Sequence, residues 1–135
     1  MSRLLMCVVL ILSSPLIDAE TRLKINEKWG IKYVVGGIGK EQLEFLNKVA
    51  SRFPMQLHFK IKDSEIKVKG VDVSVFNTKG DLVFKQKVDG PHLFLGVENG
   101  RYTVIADYGS QKLSYTRDLV GRRFLLMRFE FLPGN

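Results

Sequence analysis

Cysteine is all but missing from this chain. The one residue of that type is Cys7, and everything after it is thiol-free. That excludes disulfides, Cys-type zinc sites and a thiol nucleophile from the body of the protein. Histidine is nearly as scarce. His58 and His92 are the two, with no His-x-His or His-x3-His spacing, so the sequence nominates no metal ligand set and no cofactor. Charge is unclustered: no run of like charge exceeds two, at Arg122-Arg123. A Gly-x-Ser-x-Gly nucleophile elbow is absent, and nothing nominates a pair of carboxylates for acid–base work. Internal repeats and low-complexity segments are also lacking.

The longest apolar run, Leu4 to Ile17, is too short to cross a membrane, which takes about 20 residues. It follows Arg3, and a polar stretch opens at Asp18, Ala19 and Glu20. A positive start, an apolar run and a small residue before the cut form the layout of a secretory signal, expected to span residues 1–19. A retained N-terminal anchor is the alternative. Cys7 sits near the start of the run, where a lipoprotein cysteine would not. The expected location is therefore periplasmic or secreted, with no transmembrane segment after cleavage.

What remains is a basic chain with the composition of a folded domain. Hydrophobic residues make up 45% and charged residues 26%, which suits a cored globule and not a disordered tail. The net charge of +7 survives loss of the signal, because Arg3 and Asp18 cancel. Anionic partners are thus allowed, but spread-out charge favours weak, salt-sensitive attraction to anionic surfaces over a specific nucleic-acid site.

Along the chain the hydrophobic period changes once. Residues 20–39 are expected to form an N-terminal arm and glycine turn. Glu20 to Lys32 reads as a loosely held arm anchored by Trp29, Tyr33-Val34-Val35 as a short strand or extended entry, and Gly36-Gly37-Ile38-Gly39 as a break in chain direction. Over residues 40–53, Leu43, Leu46, Val49, Ala50 and Phe53 recur at helical steps, and Pro54 stops the pattern. From Met55 the period is two. Met55, Leu57, Phe59 and Ile61 alternate with Gln56, His58, Lys60 and Lys62. Further alternating segments follow at residues 71–75, 82–88, 92–95, 102–108, 112–120 and 124–131, separated by turn signals such as Gly90-Pro91 and Asn99-Gly100. About seven short strands over residues 54–132 predict an all-β antiparallel sandwich, immunoglobulin-like, with one short helix near its start.

The stretch NGRYTVIA (Asn99 to Ala106) places Gly100, Tyr102, Val104 and Ala106 in a G-x-Y-x-V-x-A pattern. This resembles carboxypeptidase regulatory-like, or transthyretin-like, sandwich domains, in which a glycine turn feeds a strand whose tyrosine packs at the sandwich corner. A narrower resemblance runs through YVVGGIGKEQ (Tyr33 to Gln42), GVDVSVFNTKG, DGPHLFL (Asp89 to Leu95) and NGRYTVIADY. That order is similar to small exported proteobacterial proteins carrying such a domain. The resemblance implies a fold and an export route, and no peptidase. Where that group usually has an acidic pair, this chain has Glu41-Gln42. Transthyretin-like hydrolases end in a tyrosine-arginine-glycine-serine signature; here Asp107-Tyr108-Gly109-Ser110 lacks the arginine and lies mid-chain.

Two features call for closer weighing. Gly36, Gly37 and Gly39 precede the helix and Lys40 follows, but Val34 and Glu41 stand where a phosphate loop needs glycine and Ser/Thr. The expectation is a tight turn with positive φ and close packing. Lysines alternate as Lys60/Lys62, Lys67/Lys69 and Lys85/Lys87, each pair expected on one strand face. They offer either a ladder for a polyanion or a solvated face that protects edge strands from aggregation. The functional expectation is a non-catalytic binding or accessory module with a protein or envelope partner. Candidate contacts are Glu41, Lys60, Lys62, Lys67 and Lys69. The alternatives are a carrier of an apolar ligand between helix and sheet, and an enzyme using Glu41.

Overall fold

The period-two segments become strands of two packed sheets in a computed structural model of the chain, which describes residues 23–121 and 124–134. The signal assigned to residues 1–19 and the Arg122-Arg123 pair lie outside the described residues. The strands are β1 (Asn26–Lys28), β2 (Ile31–Gly36), β3 (Met55–Ile61), β4 (Val71–Phe76), β5 (Leu82–Val88), β6 (His92–Leu95), β7 (Gly100–Tyr108), β8 (Gln111–Leu119) and β9 (Leu125–Phe131). Helix α1 (Lys40–Val49) continues into a 3-10 turn, Ala50–Arg52. One sheet has the order β1-β2-β6-β3-β9 and the other β5-β4-β7-β8. Pairing is antiparallel except between β3 and β9, which run parallel from Met55↔Leu125 to Ile61↔Phe131. The all-β sandwich expected from the alternation is what forms.

Its core follows from that alternation. Met55, Leu57 and Phe59 of β3 and Met127, Phe129 and Phe131 of β9 point inward from one sheet. Val71, Val73 and Val75 of β4, Phe84 of β5 and Val104 and Ala106 of β7 meet them from the other. Phe129 stacks on Phe59 at 5.4 Å between ring centroids and leans on Tyr115 at 5.1 Å, within the range that favours aromatic pairs.

The short strand expected at Tyr33-Val34-Val35 lies within β2. The described part of the expected arm is not loose: it supplies β1 and the start of β2, paired as a hairpin from Asn26↔Tyr33 to Lys28↔Ile31 at one edge of the five-stranded sheet. Its polar composition misleads because a three-residue edge strand has little to bury. Nor is Trp29 an anchor. It occupies the hairpin turn with Gly30 and is 57% exposed.

Helix α1 covers part of the outer face of the same sheet. Leu46, Val49 and Phe53 bury themselves with Val34 and Phe94 in a second, smaller core. Leu43, expected in the apolar stripe, stands at its exposed margin. Gln42 turns back so that its side-chain oxygen accepts the Ile38 N–H at 2.9 Å, satisfying a donor at the helix start. At the other end the Gln56 amide donates to the carbonyls of Ala50 and Phe53 at 3.2 and 3.1 Å, tying the 3-10 turn to β3.

Tyr102 lies at the start of β7, half-buried against the main core, and its hydroxyl donates to the Glu98 carbonyl at 2.8 Å. This back-bond to a residue four positions upstream has the form of a tyrosine corner. The space a side chain at Gly100 would claim borders the Tyr102 ring. Tyr102→Phe removes one such bond and leaves the ring in place. It is expected to lower stability by about 1 kcal/mol, read as a shift in denaturant midpoint at unchanged slope. An unchanged midpoint would mean the corner bond contributes nothing.

Candidate functional site

The two histidines, far apart in sequence, are neighbours in the fold. β6 pairs with both β2 and β3, and β9 runs beside β3, so Gly36, His92, His58 and Arg128 fall into one row across the outer face of the sheet. The imidazoles of His58 and His92 stack with centroids 4.5 Å apart and planes 23° apart. Phe94 meets His92 edge-on at 6.3 Å.

The glycine turn is built around this pair. Gly37 has φ +106°, and a Cβ there would collide with the His92 ring and with Pro91. Gly36 packs in the same way on Leu23, while a Cβ at Gly90 would come within 2.8 Å of the Gly36 carbonyl oxygen. Gly39 has φ +85° with open space around it. The segment therefore provides the positive φ and close approach expected of it. Buried Pro91 accepts the Phe59 N–H at 2.8 Å and fixes β6 beside β3.

The electrostatics of the row oppose protonation of both rings. Burial lowers the affinity of His92 for a proton most, and the neighbouring His58 and Lys67 lower it further, bringing its pKa to about 4. His58 is lowered by burial, then by Arg128, Lys60 and Lys67. Both rings are thus neutral at pH 7, able to donate and to accept one hydrogen bond each. The positive charge around them resides on Lys60, Lys67 and Arg128.

The structure sorts the other expected site residues. Lys60 points outward from β3 in a loose pair with Glu130 at 3.9 Å. Lys62 lies beyond the end of β3, and Lys67 and Lys69 lie in the β3–β4 connection, so neither pair shares a strand face as the alternation suggested. The strand ends at Ile61, and Lys62 with Asp63 forms the turn that follows, so the second lysine falls off the strand. Lys85 and Lys87 do lie on a strand, the edge strand β5, where Lys87 pairs with Asp72 at 3.6 Å. Charge at that edge discourages pairing with another chain. Glu41 is exposed on the first turn of α1, the usual place for a carboxylate facing a helix dipole. No group of three or more His, Cys, Asp or Glu suited to a metal ion occurs among the described residues. None of their helices is long and apolar enough to cross a membrane.

Comparison with known proteins adds no relative: no family model, no curated protein and no solved structure matches the chain.

Proposed function

We propose that this protein is a non-catalytic binding or accessory module of the periplasm or extracellular space, and that it engages an anionic group on an envelope or protein partner. The carrying observation is the convergence of Lys60, Lys67 and Arg128 on the stacked, neutral His58–His92 pair. A face with cations at its rim and two hydrogen-bonding rings within suits phosphate or carboxylate oxygens. Export rests on the N-terminal layout, and kinship with carboxypeptidase regulatory-like domains rests on the Gly100-to-Ala106 pattern, which the Tyr102 corner bond accompanies. The carrier alternative has less support, because Leu46, Val49, Phe53, Val34 and Phe94 occupy the space between helix and sheet. The enzyme alternative has only the exposed Glu41.

The test is binding to phosphatidylglycerol vesicles over a salt titration. Lys67→Gln with Arg128→Gln is expected to weaken binding by about tenfold at low salt and to flatten its salt dependence, since exposed charges are screened over about 8 Å at physiological ionic strength. Lys85→Gln with Lys87→Gln, on the other sheet, is expected to weaken it less than threefold, about 0.6 kcal/mol. Equal loss in the two variants would show that net charge alone attracts the surface.

A further inference from the structure

The β1–β2 turn holds a residue that the fold does not favour. Lys28 pairs with Ile31, leaving Trp29 and Gly30 as a two-residue turn with φ of +55° and +80°. Turns with positive φ at both central positions take Asn-Gly, Asp-Gly or Gly-Gly, because a bulky side chain is strained there. Trp29 is also 57% exposed, so burial of its ring offsets little of that strain. A strained backbone carrying a displayed aromatic ring makes Trp29 a candidate functional position.

Beside this ring is a cleft of about 490 Å³, within the usual size of small-ligand sites. Ile31, Leu82 and Val97 form its apolar wall; Trp29, Glu98 and Tyr102 line it as well. Glu98 is exposed and joins no ion pair among the described residues. The Tyr102 hydroxyl spends its proton on the Glu98 carbonyl, so toward the cleft it presents lone pairs. Acceptors facing an aromatic plate suit a ligand with hydroxyl donors on a ring that also has an apolar C–H face. A cationic ligand fits worse, because the Lys28 ammonium already lies 5.7 Å from the Trp29 ring centre and would repel it. This ammonium is held in place by Gln86 at 3.0 Å.

We propose that the cleft between the Trp29 turn and Glu98 binds a neutral sugar ring, stacked on the indole and hydrogen-bonded through its hydroxyls to the Glu98 carboxylate. The site lies apart from the His58–His92 row and stands or falls independently of it.

Trp29 is the sole tryptophan of the chain, so its fluorescence reports on this cleft alone. The probes are maltotetraose, cellotetraose and chitotetraose, with tetramethylammonium as the cationic comparison. At least one tetrasaccharide is expected to shift the emission saturably. Calorimetric titration with that sugar should then show at least tenfold weaker binding for Trp29→Asn and for Glu98→Gln. Trp29→Asn creates the favoured Asn-Gly turn, so its melting temperature should equal or exceed that of the wild type. Loss of binding with a raised melting temperature separates a binding role from a structural one. Absence of a shift with all three sugars, a shift with tetramethylammonium only, or unaltered binding in Trp29→Asn would overturn the proposal.

Discussion

Replacing Gly37 by alanine is expected to cost about 3 kcal/mol or more of stability, from two sources acting together. The backbone at φ +106° lies outside the region that L side chains adopt freely, a strain on the order of 1–3 kcal/mol. The added methyl would also meet the His92 ring and buried Pro91, and overpacking of this kind typically costs about 1–3 kcal/mol. Neither neighbour gives way easily. Pro91 is tied through its carbonyl to β3, and His92 is stacked on His58. Gly39→Ala is the internal comparison. It shares the positive φ but has open space around it, so it should show the strain without the collision. A chemical-denaturation midpoint for Gly37→Ala no lower than that for Gly39→Ala would mean the histidine pair tolerates displacement, and the turn would lose its role in seating it.

The contrast between these glycines shows where sequence reading reaches its limit. Clustered glycines before an amphipathic segment announce a turn with positive φ, and that much is local. What the turn packs against is not. His92 lies beyond two hairpin strands of the opposite sheet, and its pairing with β2 and β3 is settled by how the sheets stack. The same holds for His58, whose place on a polar strand face is legible from alternation while its stacking partner is not. Lys60 could be placed outward by the period of two. The alternation of Lys67 and Lys69 suggests a strand face, yet that segment is a connection whose one deep anchor is Val68. The core strands needed no such help, since one-sided burial fixes their register residue by residue. Tyr33-Val34-Val35 announces the strand at β2, but β1 and the hairpin are illegible for the opposite reason: a tryptophan in the turn breaks the composition rules by which hairpins are recognised.

Acidification is expected to destabilise the fold through the histidine row, and the direction follows from the lowered proton affinities. Unfolded, each imidazole titrates near its ordinary value of 6.5; folded, His92 does so at about 4 and His58 is lowered in the same sense. Between those values the unfolded chain takes up protons that the folded chain refuses, so stability rises with pH across this window. The contribution is fully present above about pH 6.5 and is lost as pH falls toward 4. The gross shift at His92 corresponds to roughly 3 kcal/mol. Both rings are only half-buried, so screening by water reduces the expected loss to about 2 kcal/mol for the pair. The measurement is the difference in unfolding free energy between wild type and His58→Gln with His92→Gln, taken from pH 7 to pH 4.5. Carboxylates titrate in both proteins and cancel, so the wild-type curve should fall the more steeply. Parallel curves, or an NMR titration placing the folded His92 near 6.5, would overturn the account. The same linkage bears on binding. An anion seated on the row would stabilise the protonated rings against Arg128, Lys60 and Lys67, so its affinity should grow as pH falls through the lower part of this window. Attraction to a diffuse basic surface, with lysines and arginines charged throughout, would show no such rise.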